Sequence, residues 1–212
     1  MKVAIIGASG FIGSALRAES LARGHAVTAL VTRPDRLAPE PRLTALKADV
    51  PDADALAGQL RGHDAVLSAF SGHAQADVRD YYRQGIRSIV RAVQAAGVPR
   101  LLVVGGAGSL ETEPGRLLID SPDFPAQWKA SAEGARDALE LLRGLEDLDW
   151  TMLSPAASIA PGRRTGTFRL GRDRLLTDAA GNSAISLEDY AVAMLDELER
   201  PAHRRQRFTV AY

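Results

Sequence analysis

The sequence contains no cysteine. Disulfides, thiolate metal sites, iron–sulfur clusters and a cysteine nucleophile are thereby excluded. Histidine is scarce as well: His25, His63, His73 and His203 lie far apart, and none forms a His-x-x-x-His pair. No preformed zinc or iron centre is expected, and no residue is assigned to a metal. Lysine is limited to Lys2, Lys47 and Lys129, against 23 arginines. An excess of either charge is missing too, since 26 basic residues face 26 acidic ones. A general nucleic-acid binder carries a basic surplus, so no nucleic-acid partner is expected. No run approaches the ~18 consecutive apolar residues of a membrane-crossing helix, so no membrane partner is expected either. The stretch from Met1-Lys2 through uncharged Val3 to Leu16 imitates a secretory leader. Its glycines at 7, 10 and 13 and its passage into an amphipathic helix argue instead for a cytoplasmic protein.

What is present is a chain of 212 residues, 46% of them hydrophobic. That suits a single domain, 1–212, able to bury a core. Short apolar runs alternate with helical patterns. Lys2–Ile6 is β-branched and stopped by glycine, so it reads as a buried parallel strand. Further strands are expected at 26–31, 43–48, 65–69, 101–104 and 149–153. The intervening helices are expected at 11–23, 52–60, 77–96 and 126–143. This rhythm predicts an α/β fold: a doubly wound parallel sheet of Rossmann type, with helices on both faces and right-handed crossovers. From Ser154 onward the rhythm changes. Glycines 162, 166, 171 and 181 punctuate short segments at 167–170, 174–177 and 182–185. Residues 155–186 are therefore expected to form a small β-rich lobe on the substrate side. A helix at 187–198 and a strand at 207–211 finish the pattern.

The first strand runs into Gly7-Ala8-Ser9-Gly10-Phe11-Ile12-Gly13, spaced G-x-x-G-x-x-G. Three glycines alone carry little weight. Here they leave the first strand and open the first helix of a β-α-β unit, the context that a dinucleotide site requires. Gly7 permits the turn, Gly10 lets the backbone approach a pyrophosphate, and Gly13 allows close packing of the helix. The helix then presents free N–H groups and its positive end to phosphate. A P-loop is excluded because no Lys-Ser/Thr follows the last glycine.

An NAD-specific site ends its second strand with Asp or Glu about 20 residues beyond the loop. This chain has Thr32 and Arg33 there, with Arg36 nearby. A guanidinium at this place can take a 2′-phosphate by two parallel charged hydrogen bonds, helped by a hydroxyl of Ser9 or Thr32. The expected cofactor is NADP(H) in preference to NAD(H).

Several segments together carry a family resemblance: GASGFIG at 7–13, Asp49-Val50, Ser68-Ala69-Phe70, VVGGAGSL at 103–110, DSPDFPAQWK at 120–129, LDWTMLSPA at 148–156 and SLEDYAVAMLDELERPAHRRQRFTV at 186–210. They resemble the NAD(P)H-binding, NmrA-like branch of atypical short-chain dehydrogenases/reductases. Within it they are similar to the NADH-flavin reductases related to biliverdin-IXβ reductase. The resemblance implies cofactor contacts over nearly the whole chain. Gly7, Gly10, Phe11 and Ile12 would line the pyrophosphate, and Arg33 would meet the adenosine phosphate. Asp49 and Val50 would flank the adenine. Ser68, Ala69 and Phe70 would lie along the ribose. Gly105, Gly106 and Ala107 would end near the nicotinamide, with Ser154, Pro155, Ala156 and Ala157 beside its ring.

Many short-chain dehydrogenases use a Tyr-x-x-x-Lys pair. The residues four beyond Tyr81, Tyr82 and Tyr190 are Gly85, Ile86 and Met194, and no such pair exists here. Ser109, after the fifth strand, and Lys129 are the candidate catalytic residues; Ser109 is equally readable as a turn serine, and Lys129 slightly more readily as a solvated helix residue. Trp128 is a candidate stacking surface. His73 follows the fourth strand and is more simply a solvated loop residue. Asp120 and Asp123 lack the setting of a glycosidase acid pair, and no G-x-S-x-G is present. Hydride transfer to a flat acceptor asks less of protein side chains than ketone reduction, because the cofactor carries the chemistry. Two readings follow: an NADPH-dependent reductase of a flavin, quinone or tetrapyrrole-like acceptor, or a non-catalytic NAD(P)H-binding redox sensor.

Overall fold

The computed structural model describes residues 1–72 and 76–212. In chain order the first half comprises β1 (Lys2–Ile6), α1 (Phe11–Ala22), β2 (Ala26–Val31), β3 (Leu43–Lys47), α2 (Ala53–Leu60), β4 (Ala65–Ser68), α3 (Val78–Ala96) and β5 (Arg100–Val104). A short hairpin of β6 (Glu111–Glu113) and β7 (Arg116–Leu117) precedes α4 (Ala126–Arg143) and β8 (Asp149–Ser154). The rest holds β9 (Ser158–Ala160), β10 (Arg169–Gly171), β11 (Ala184–Ser186), α5 (Leu187–Glu199) and β12 (Gln206–Ala211). The described residues build one eight-stranded sheet in the order β10-β12-β8-β5-β4-β1-β2-β3. All its pairings are parallel except β10 with β12. This is the expected doubly wound α/β fold.

Strand periodicity explains the two cores. Side chains alternate across a sheet, so each central strand feeds both faces. Ala4, Ile6, Val66, Leu101, Val103, Trp150 and Met152 pack toward α2, α3 and α4. Val3, Ile5, Leu67, Leu102 and Leu153 pack on the other face with α1 and α5. Local signals set the helix ends. Asp52 accepts from Ala55 N–H, Asp77 from Asp80 N–H and Ser186 from Asp189 N–H, each capping a helix. Gly97, at φ 68°, ends α3 in the left-handed region that favours glycine.

Residues 155–186 differ from the expected lobe. β10 joins the edge of the main sheet, and β9 and β11 pair with each other in parallel. The expected strand at 174–177 does not form. Instead Glu111 donates its N–H to the Asp173 carbonyl and accepts from Leu175 N–H, so a single bridge ties this stretch to the β6–β7 hairpin. Among the described residues no helix is long and apolar enough to cross a membrane.

Candidate dinucleotide site

A sheet whose order reverses beside β1 leaves a crevice at the carboxyl ends of β1 and β4, the place where ligands of such folds bind. The glycine loop turns there, and its spacing is dictated by backbone contact. Gly7 sits at φ 78°, and a Cβ on it would lie 2.7 Å from the Ala69 carbonyl oxygen after β4. A Cβ on Gly13 would lie only 2.0 Å from the Gly7 carbonyl oxygen. Gly10 N–H donates to that same carbonyl at 2.9 Å. The loop is thus wedged between β4 and its own helix. No side chain caps α1, and its first turn holds no acid. Its leading N–H groups and positive end are open to an anion. Ser9 and Gly10 are exposed, Ile12 is partly exposed and Phe11 is 57% exposed.

The remaining expected residues follow the carboxyl ends of parallel strands, so they collect along one edge of the sheet. Thr32 and Arg33 are exposed after β2. Among the described residues Arg33 makes no ion pair or side-chain hydrogen bond, unlike Arg23, which engages Glu19, Asp196 and Glu199. Asp49 is exposed after β3, but Val50 belongs to the core, and its carbonyl accepts from the Ser88 hydroxyl. Only the backbone of Val50 remains to flank a ligand. Ser68 is buried at the end of β4. Phe70, after β4, is half-buried. Its ring covers Gly85 of α3, where a Cβ would sit 2.1 Å from it, and it packs near Tyr81 and Tyr82. Mid-helix Gly85 was the sequence signal for this contact, because glycine weakens a helix unless close packing needs it.

Gly105, Gly106 and Ala107 leave β5 partly exposed, beside Ser154 at the end of β8. The Ser154 hydroxyl is fully buried and has no hydrogen-bond partner among the described residues. It lies 3.1 Å from where a Cβ on Gly105 would be. Met152 crowds the same place at 2.8 Å, and a buried hydroxyl without a partner is a group that a polar ligand atom would satisfy. Pro155 and Ala156 are buried, and Ala157 N–H donates to the Ser183 hydroxyl.

Both candidate catalytic groups need restating. Ser109 is 7% exposed, and its hydroxyl and carbonyl both accept from the Arg207 guanidinium. The turn through Ala107–Ser109 carries it beside α4, where Gly108 faces Ala132. Its hydroxyl therefore serves here as an acceptor for Arg207. Lys129 is exposed on the first turn of α4 with no partner among the described residues, next to Trp128, itself 49% exposed. His73 lies outside the described residues. The two buried tyrosines are already committed: Tyr82 donates to the Val104 carbonyl and Tyr190 to the Leu153 carbonyl. Burial raises both phenols above their usual range, and Tyr82 adds to the shift at Tyr190.

The cradle of glycines, the uncapped helix, the unpaired Arg33 and the orphaned Ser154 hydroxyl fit the phosphate and amide groups of a pyridine dinucleotide. Comparison with known proteins agrees. YwnB of Bacillus subtilis, an uncharacterized protein, is 40% identical over 213 residues, covering 99% of this chain and 98% of its own. A solved structure of a "putative epimerase" from Bacteroides thetaiotaomicron is 43% identical with TM-score 0.93, covering 100% of this chain and 96% of that one. A "putative NADH-flavin reductase" from Streptococcus pneumoniae is 37% identical with TM-score 0.85, covering 100% and 99%. The family model described as NAD(P)H-binding matches residues 7–201, and the chain belongs to that family of oxidoreductase-like Rossmann proteins.

Proposed function

We propose that the protein is an NADPH-dependent reductase that passes hydride to a flat acceptor such as a flavin, a quinone or a tetrapyrrole. The observation that carries this reading is how the tyrosines are used. Tyr82 and Tyr190, the buried phenols nearest the ends of β5 and β8, both spend their O–H on backbone carbonyls. Neither is free to shuttle a proton to an alcohol or ketone. A flat conjugated acceptor spreads the incoming charge and takes its proton from water, so it needs no such group. The same commitment weighs against epimerase chemistry, which needs a facing base.

When bound, the reduced dinucleotide supplies the hydride. The leading N–H groups of α1 hold the pyrophosphate. Arg33 receives the 2′-phosphate with both guanidinium prongs. Ser154 would donate to or accept from a polar group of the bound dinucleotide, such as its carboxamide. Lys129, exposed on the first turn of α4, attracts an anionic acceptor.

The test is to follow NADPH absorbance with FMN, FAD, menadione and biliverdin in turn. Oxidation with one or more acceptors supports a reductase. Tight NADPH binding with no oxidation by any of them sinks it in favour of a redox sensor.

Two substitutions probe the cofactor half separately. Arg33→Glu lowers the preference for NADPH over NADH by about tenfold or more, since one charged two-pronged contact is lost. Titration calorimetry with both cofactors measures this, and an unchanged ratio would remove Arg33 from the site. Ser154→Ala weakens NADPH binding by roughly three- to tenfold, the worth of one neutral hydrogen bond. The cofactor-free melting temperature stays level or rises, because a buried hydroxyl without a partner is gone. A fall in melting temperature with unchanged affinity would place that hydroxyl in the fold alone.

A further inference from the structure

A second cavity, of about 420 Å³, opens on the flank of α4 toward the β6–β7 hairpin and the start of β12. No residue of the glycine loop lines it. Its innermost wall is buried Ser109 and Arg207. Its charges balance, with three arginines and three acids. Most of them satisfy one another. Arg207 donates to Asp173 at 2.9 Å, and Arg143 pairs with Glu140 at 2.9 Å and with Asp173 at 3.2 Å.

Arg136 and Glu111 are left over. Both line the cavity, both are half-buried, and among the described residues neither side chain has an ion-pair or hydrogen-bond partner. They come from different walls, Arg136 from α4 and Glu111 from β6. Glu111 is anchored by both of its backbone groups, to Asp173 and Leu175. Its carboxylate therefore projects from a fixed point. Partly buried charges without partners are costly, and natural structures satisfy them with a ligand or water.

We propose that this cavity binds a small zwitterion of the amino-acid class, with its carboxylate on Arg136 and its ammonium on Glu111. A simple anion would meet Arg136 but face the Glu111 carboxylate. A simple cation would meet Glu111 but face Arg136. Only a molecule with both charges satisfies both walls, and a guanidinium binds carboxylate in a two-pronged geometry. Leu117 and Leu139 supply apolar wall for the carbon chain between the charges. The site is independent of the hydride-transfer reading.

Titration calorimetry on the full chain tests it with glycine, β-alanine, γ-aminobutyrate and 6-aminohexanoate, whose two charges are spaced progressively further apart. Butyrate and butylamine carry one charge each. The expected result is 1:1 binding of at least one zwitterion, with butyrate and butylamine weaker by about tenfold or more. Arg136→Gln and Glu111→Gln each weaken the best zwitterion by a similar factor. NADPH affinity and melting temperature stay unchanged and report an intact fold. If either variant fails to fold, the comparison of one-charge and two-charge probes on the wild-type chain decides alone. No heat from any zwitterion at about 10 mM, equal binding of the one-charge probes, or binding indifferent to both substitutions overturns the proposal.

Discussion

Gly13→Ala lowers NADPH affinity by ten- to a hundredfold and the melting temperature by several degrees. The added methyl would lie 2.0 Å from the Gly7 carbonyl oxygen and 2.8 Å from its carbon. These are backbone atoms, and they have nowhere to go. Gly7 N–H is bound to the Leu30 carbonyl at 3.0 Å, its carbonyl takes Gly10 N–H, and its other side presses on Ala69. The conflict is relieved only by moving the helix off the loop or the loop off the strand. Overpacking of this kind costs about 1–3 kcal/mol, which for a chain of this size is ~2–10 °C. Either movement also withdraws N–H groups from the phosphates, and each charge-assisted hydrogen bond lost is worth about 1.5–3 kcal/mol. Gly58 in α2 supplies the contrast. A Cβ there meets nothing within 4 Å, so Gly58→Ala stabilises by up to about 1 kcal/mol through helix propensity and leaves cofactor affinity alone. Thermal melts and calorimetry on the two variants measure both effects. Equal behaviour of the two would show that glycine 13 is not needed for close approach.

Asp189→Ala destabilises the protein by roughly 2–4 kcal/mol, given about 1.5–3 kcal/mol for each hydrogen bond to a charged group and partial rescue by water. The Asp189 carboxylate is fully buried. It accepts from Thr165 N–H at 2.8 Å, the Thr165 hydroxyl at 2.6 Å, Gly166 N–H at 2.8 Å and the Tyr212 hydroxyl at 2.9 Å. One side chain therefore pins the 162–168 segment and Tyr212 to the first turn of α5. Burial pushes its carboxyl up, and the hydrogen bonds from Thr165, Gly166 and Tyr212 outweigh that and hold it below the usual carboxylate range. The sign of the pH dependence follows. A carboxyl depressed in the folded state contributes stability above its unfolded value near pH 4, and loses it as pH falls toward the folded value. The stability gap between wild type and Asp189→Asn, read by urea melts, therefore narrows from about pH 6 to pH 3. A gap independent of pH would mean that the carboxylate charge contributes nothing.

The legible parts of this fold are those with dense local signals. Helix α4 occupies 126–143 as its periodicity predicts, and Asp77 and Gly97 mark α3 at both ends. The strands missed, β6, β7 and β9, have two or three residues each and take their meaning from distant partners. Residues 174–177 read as a short strand between glycine-marked turns, yet among the described residues the bridge formed there is the isolated one of Arg174 with Glu111. The glycine loop was readable because fixed spacing after a strand carries physical meaning. Ser109 was not. Its distance from β5 in sequence says nothing of Arg207, 98 residues later, which claims its hydroxyl. The packing of Phe70 on α3 left its one local trace in mid-helix Gly85, which marks a close approach without naming the ring that makes it.

The two cores have different histories on the ribosome. The face beneath α2, α3 and α4 is complete by Met152. The opposite face needs Ile185, the residues of α5 and Phe208 to Ala211. A nascent chain released only as far as residue 155 therefore carries one sheet face covered by α1 but not by α5 or β12. Such surface attracts chaperones and promotes aggregation. Pausing of translation before residues 185–211 emerge is accordingly where this fold is most exposed to misassembly.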